Sequence, residues 1–436
     1  MVESLQELEQ IISGVIAYLP ETGEIYLLNK ERVWADDVID RLIEVHLFTG
    51  DDGVRQLSGR MISEIARQMD VPLQTLTGGD TPSSERQNFM PIFYLPVITY
   101  DTARAVFRVV RKSPPMPVGF AISDNNNGDK QTAEEYAAEI LSAAMKERIH
   151  EGGADRFRLV AEGLQVDPGQ YDTDPDSVVE SLNGRISDLL EWGFTGFRLD
   201  IAPLVDPQDH ASEEGASRAA SVWAHLVRAL AESTDPEVAR SVGMQLPPDL
   251  SGNPAALGAL TKALKKGVDN LEIPEVEAGS PITCPETLQI GIPASEAPGS
   301  GNQVSLLRVR EFIDPARESL PGIGFSLTFG DHLREADYPE LREAGVIEIH
   351  LRKEVMLNLI THSEFPENIR DAIRESGHRG NGSSARSARN LAEPDLWEDV
   401  LAEFRQDIWR MDSQRKRRIY TALEKSIHPI FNPFFV

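Results

Sequence analysis

Glu162 and Asp200 each close a short apolar run, in RFRLVAE and GFRLD. Two carboxylates at neighbouring strand ends could hold a divalent metal or serve as acid and base. The competing reading is that each pairs with a local arginine, such as Arg158 or Arg198, or caps a loop. His332 and His350 lie near the ends of two further runs and could ligate zinc. Two imidazoles without a clear third make a weak zinc set, and hydrogen-bonding or surface roles compete with it. Arg352 and Lys353, at the start of a helix, could hold a phosphate, or be a solvated basic pair. Gln245, Thr328 and Asp331 stand at other run ends and are candidate substrate- or phosphate-binding groups, with Ser123, Asp124, Ser295 and Glu296 nearby. The single cysteine, Cys284, excludes an internal disulfide framework and a multi-cysteine metal site. There is no Walker loop, dinucleotide fingerprint, HExxH or GxSxG.

The elements that must position these groups have a regular rhythm. Eight short apolar runs occur at Met90–Leu95, Val118–Ser123, Phe157–Glu162, Gly196–Asp200, Ser241–Gln245, Leu288–Pro293, Gly324–Phe329 and Val346–His350. Their near-continuous apolar character predicts strands buried on both faces. Amphipathic helices separate them, among them Asp101–Lys112, Ser177–Trp192, Glu213–Ser233 and Val304–Leu320. Another starts at Asn253–Pro254 with Gly267 just past its end, and Asp337–Ala344 leads into the last run. Strand–helix alternation over this span predicts an α/β fold, a (β/α)₈ TIM barrel. An open doubly wound sheet is the rival, but PVITYDTA after the first run lacks the glycines of a phosphate loop. In barrel enzymes the site lies at the C-terminal strand ends, where the candidates above sit.

The barrel is expected over residues 88–363. Before it, residues 1–87 read as a helix, a hairpin in GVIAYLPETGEIYLLN, two further helices and the linker TLTGGDTPSSERQ. After it, residues 364–436 read as a helical extension. In it RESGHRGNGSSARSARN is a mobile loop, Leu396–Met411 and Arg417–Ile427 are helices, and the tail IHPIFNPFFV is aromatic. Such a tail must be buried, against its own barrel or in a neighbour. The net charge of -27 argues against nucleic acid and anionic membranes as partners. No apolar run is long enough for a membrane span, and the acidic start MVESLQELEQ lacks a signal core, which points to a cytoplasmic protein.

The order of these segments resembles the class II, metal-dependent ketose-bisphosphate aldolases, closest to the branch of the non-catalytic subunit of tagatose-bisphosphate aldolase. The resemblance runs from PIFYLPVITYDTARAVFRVV through PMPVGFAISDNN to about residue 360. It is best in TAEEYAAEILSAAM…RFRLVAEGLQVDP…SVVESLNGRISDLLEWGFTGFRLDIAPL, and VGMQLPPDLSG, FSLTFGDH and AGVIEIHLRK follow in the family's order. It implies an Asp–His pair after the third strand, acid and metal ligand; Glu162 and Gly163 stand there. It implies a metal histidine after the sixth strand; Gly291–Ser300 contains none. It implies a histidine before Gly-Gly-Ser after the seventh; Thr328 and Phe329-Gly330-Asp331 stand there, and Asp331 would repel a phosphate. Zinc needs about three protein ligands to polarise a ketose carbonyl. No lysine lies on a strand to supply a Schiff base. The resemblance thus implies a barrel that has lost class II aldolase chemistry and needs no cofactor. It would be a non-catalytic subunit, scaffold or self-assembling structural protein, a homo-oligomer or the partner of another subunit, with a phosphosugar as its ligand. The alternative is an active metal-dependent aldolase, lyase or isomerase on a phosphorylated sugar. Its one divalent metal, zinc or manganese, would be rebuilt on Glu162, Asp200, His332 and His350, with Asp331 beside them.

Overall fold

The computed structural model describes residues 5–35, 37–74, 89–123, 130–152, 154–204, 213–233, 236–246, 254–269, 285–290, 306–320, 323–328, 333, 335–351, 354–379 and 394–435. Ten strands are present among them. β1 (Ile16–Leu19) and β2 (Glu24–Leu27) form the antiparallel hairpin expected around Glu21–Gly23. The other eight are β3 (Met90–Tyr94), β4 (Met116–Ser123), β5 (Ala154–Gln165), β6 (Phe194–Asp200), β7 (Val242–Gln245), β8 (Thr287–Ile290), β9 (Gly324–Leu327) and β10 (Val346–Leu351). Each pairs in parallel with its sequence neighbour, and β10 returns to β3, so the sheet is a closed (β/α)₈ barrel.

The helices form because apolar stripes meet capping residues. Thr132 accepts from Glu135 N to open Ala133–Lys146, and Asp174 accepts from Ser177 N to open Pro175–Glu191. Several boundaries differ from the sequence reading. The helix after β7 continues through Gly267 to Asp269, because one interior glycine costs only about 1 kcal/mol. The first residues of RESGHRGNGSSARSARN continue the helix Glu367–Arg379, and the remainder lies outside the described residues, as does the linker 75–87. Leu396–Met411 divides at Phe404 into Pro394–Glu403 and Arg405–Trp409. The final helix is longer than expected, Ser413–Phe431, and passes through Pro429.

One reading of the strands needs correction. Their outward positions are apolar and face helices: Phe107 meets both Phe120 and Phe157. Their inward positions are largely not. An apolar group of Met90, Ile92, Ala121 and Val160 is separate from the main core. Much of the remaining barrel interior is charged, as described below. The runs looked continuous because bulky apolar residues on the outer face flank each inward polar one.

The final helix lies against Thr99–Lys112 and Glu354–Thr361, between the first and last helices of the ring. The helix directly after the last strand, Glu354–Thr361, is short, and the final helix packs beside it. Of the aromatic tail, Phe431 and Phe434 pack on the chain's own barrel: Phe431 stacks on Phe93 at 5.6 Å, and Phe434 packs on Phe89 and Tyr338 at 5.0 and 5.1 Å. Truncating a buried aromatic to alanine costs roughly 3–5 kcal/mol. Phe431→Ala should therefore lower unfolding free energy by about that amount. The loss should be the same across a hundredfold range of protein concentration in denaturant titrations. A concentration-dependent loss would instead put the tail in a neighbouring chain.

Candidate functional site

Contacts between strands that are not neighbours in the sheet must cross the barrel interior. Arg198 of β6 donates from Nη2 to both carboxylate oxygens of Glu348 on β10, at 2.9 and 2.9 Å. From Nη1 it donates to Glu286, just before β8, at 3.0 Å. Arg158 of β5 donates to the same Glu286 oxygen at 2.8 Å, to Glu348 at 3.4 Å, and to the Thr195 carbonyl at 2.8 Å. Arg198, Glu348 and His350 are fully or almost fully buried. Isolated, such ions could not remain charged in a barrel interior; paired and forked in this way they can.

The sequence makes room for these side chains by omitting Cβ atoms. A Cβ on Gly196 would lie 2.9 Å from the Arg158 guanidinium. One on Gly243 would lie 2.8 Å from the Thr287 carbonyl and 3.1 Å from Arg198 Cδ. Gly243→Ala should cost at least the roughly 1–3 kcal/mol of an overpacked core, read by thermal or denaturant unfolding. Unchanged stability would mean that the interior is looser than described.

Glu162 lies towards the mouth from this cluster. Its Oε1 accepts from Gln289 Nε2 of β8 at 2.7 Å and stands 2.9 Å from His350 Nδ1 of β10. The His350 approach is an ion-pair contact. On the other side His350 Nε2 is 3.9 Å from Glu348. Burial opposes charging of His350, but Glu162 and Glu348 outweigh it and raise its pKa above the ordinary value. Burial likewise opposes ionisation of Glu348, yet Arg198, His350 and Arg158 hold its carboxyl far below the usual range. The group sets Arg158, Arg198 and His350 against Glu162, Glu286 and Glu348.

A raised folded pKa means that His350 contributes stability fully below its unfolded value of about 6.5. That contribution is lost as pH rises through the folded pKa. Denaturant titrations from pH 6 to 9 should show a decline in the wild type that is absent from His350→Gln. Parallel pH profiles for the two proteins would contradict a raised His350 pKa.

The structure therefore separates the two carboxylates by role. Gly163, at φ +75, sits in an irregularity of the β5–β6 pairing between Ala161 and Leu164. Beyond it Gln165 pairs with Asp200. Asp200 accepts from Gln165 Nε2 at 3.1 Å and from Ala202 N at 2.9 Å, so it closes its own loop. Neither carboxylate takes a partner from Arg158 or Arg198, which engage Glu286 and Glu348. Thr328 turns back to the strand, donating to the Ile290 carbonyl at 3.2 Å. Gln245, Gln289 and Ser326 stand in register on β7, β8 and β9. Gln245 Oε1, Gln289 Oε1 and Ser326 Oγ have no hydrogen-bond partner among the described residues. Asp331, His332, Arg352 and Lys353 lie outside the described residues, as do Asp124, Cys284, Ser295 and Glu296. Among the described residues no three His, Cys, Asp or Glu groups converge to hold a metal ion. Those present do not fit a class II zinc centre, because Glu162 and His350 are turned on each other and Asp200 on its loop.

The sequence reading missed Glu286, Glu348 and Gln289, and used the two arginines only as foils. The available signal was alternation. VIEIHL places Glu348 and His350 two apart, and GFRLD places Arg198 and Asp200 two apart, each pair on one strand face.

No protein-family model matches the sequence, and no curated protein sequence matches it. Solved structures do resemble it in shape. A fructose-bisphosphate aldolase from Campylobacter jejuni shares 13% identity over 86% of this chain and 94% of its own, with a TM-score of 0.40. A fructuronate-tagaturonate epimerase from Cohnella laeviribosi shares 10% identity over 91% and 90%, with a TM-score of 0.49. The YdjI aldolase from Escherichia coli K12 shares 12% identity over 76% and 95%, with a TM-score of 0.37. The closed strand order, rather than these matches, establishes the barrel. No helix among the described residues is long and apolar enough to cross a membrane.

Proposed function

We propose that this chain is an aldolase-type barrel that no longer performs class II aldol cleavage and serves as a non-catalytic subunit or scaffold. The observation that carries this is the state of Glu162. It stands where the sequence resemblance puts a catalytic acid, yet it is 1% exposed, takes the Gln289 amide and faces His350. A catalytic acid must reach the proton it transfers, whereas Glu162 faces structural partners. The residues in the places of the family's imidazole ligands are also used otherwise: Gly163 shapes the backbone and Thr328 bonds β8.

A second reading is a metal-dependent lyase or isomerase acting on a phosphorylated sugar. What favours it is the survival of a carboxylate at Glu162 with an imidazole 2.9 Å away, and the polar arc of Gln245, Gln289 and Ser326, which suits a hydroxyl-rich ligand.

Glu162→Gln separates the two. Under the scaffold reading wild type and variant are equally inert toward ketose bisphosphates, with or without added zinc or manganese. The variant is less stable by roughly 3–5 kcal/mol, because His350 is left beside an uncharged partner. Zinc- or manganese-dependent cleavage by the wild type, abolished in a still-folded variant, would establish the second reading. Self-assembly is checked separately by sedimentation: a mass of 48.3 kDa, one chain, would remove the self-assembling form of the proposal.

A further inference from the structure

Both extensions reach the same corner of the barrel mouth. The loop that follows β3, residues 95–98, is the first strand-to-helix connection of the barrel and so lies on its C-terminal face. Within it Val97 is buried and has φ +70. A β-branched residue in that region is strained and persists only where its surroundings impose it.

The surroundings are specific. Val97 N–H donates to Gln131 Oε1 at 2.7 Å. Gln131 Nε2 in turn donates to Glu139, and to Thr99 Oγ1 at 2.9 Å. Glu139 also accepts from the Tyr100 amide at 3.2 Å, at the start of the helix that leaves the loop. The cation for this carboxylate comes from the C-terminal extension: Arg405 donates to Glu139 at 2.8 Å and to Glu135 at 2.8 Å. One turn on, the Trp409 ring packs on Tyr100 at 5.4 Å and on Phe48 of the N-terminal segment at 5.8 Å. The Tyr100 hydroxyl donates to Asp40, also in that segment, at 2.5 Å. Lys130 adds a pair with Asp399 at 2.7 Å. Loop 95–98 is thus tied through Gln131 and Glu139 to Arg405, and Tyr100, just beyond it, is held by Trp409 of the C-terminal extension and Asp40 of the N-terminal segment.

We propose that the two extensions form a clamp on the barrel mouth, with Arg405, acting through Glu139 and Gln131, fixing the conformation of the first strand-to-helix loop. A clamp of this kind couples anything that moves the C-terminal extension to the shape of the mouth, and the coupling runs both ways. Arg405 is a positioning residue in this scheme. It touches the loop only through two other side chains.

Hydrogen exchange on the full chain tests it. Arg405→Met should raise exchange of the Val97 and Tyr100 amides at least about tenfold, the effect expected when charge-assisted hydrogen bonds are lost. Amides in β4 and β6 should stay as in the wild type. Arg405→Lys keeps the charge but cannot fork to both carboxylates, so its effect should lie between the two and decides the matter if the methionine variant fails to fold. Gln131→Leu should act in the opposite direction, loosening the amides of Arg405–Trp409 from the loop side. Val97 and Tyr100 exchange unchanged in the folded Arg405 variants would overturn the clamp. So would a Gln131→Leu effect confined to the loop.

Discussion

The bidentate Arg198–Glu348 pair across the barrel interior is the contact on which the rest of this structure depends. It joins β6 to β10 through the middle of the barrel. Barrels of this type are usually filled by branched apolar side chains; here much of that volume holds ions. A buried charge is tolerated only with its partners in place, so each member imposes the next. Arg198 needs Glu348 and Glu286; Arg158 shares both. Glu162 and Glu348 in turn raise the pKa of His350. Gly196 and Gly243 are required because any Cβ there would meet the arginines or their neighbours.

This chain of requirements reaches the place where chemistry would be expected. Glu162 is the last carboxylate of the series, and its orientation is set by His350 and Gln289. Held in that way, Glu162 faces other protein groups. Asp200, one strand over, answers to a different local demand, the turn at Ala202.

The sequence made the architecture legible because outward-facing residues of a barrel strand repeat in strong apolar pairs: Phe157 and Leu159, Phe197 and Leu199, Phe325 and Leu327. The helices between them carry caps and stripes that local rules recognise. The interior was harder to read. Arg158 and Glu286 are far apart in sequence, and only closure of the sheet brings them together. Single polar residues flanked by bulky apolar ones were therefore absorbed into runs read as apolar on both faces. The aromatic tail was ambiguous for a related reason. Its composition demands burial, but Phe93 and Phe89 as its partners follow from the path of the last helix, which no local pattern specifies.

The most direct test of the central claim is the metal content of protein purified without chelator, read by elemental analysis in the wild type and in Glu162→Gln. The account predicts no stoichiometric zinc, manganese or cobalt in either protein, because Glu162 and His350 are turned on each other. About one such ion per wild-type chain, lost in a folded Glu162→Gln, would contradict it and make Glu162 a ligand.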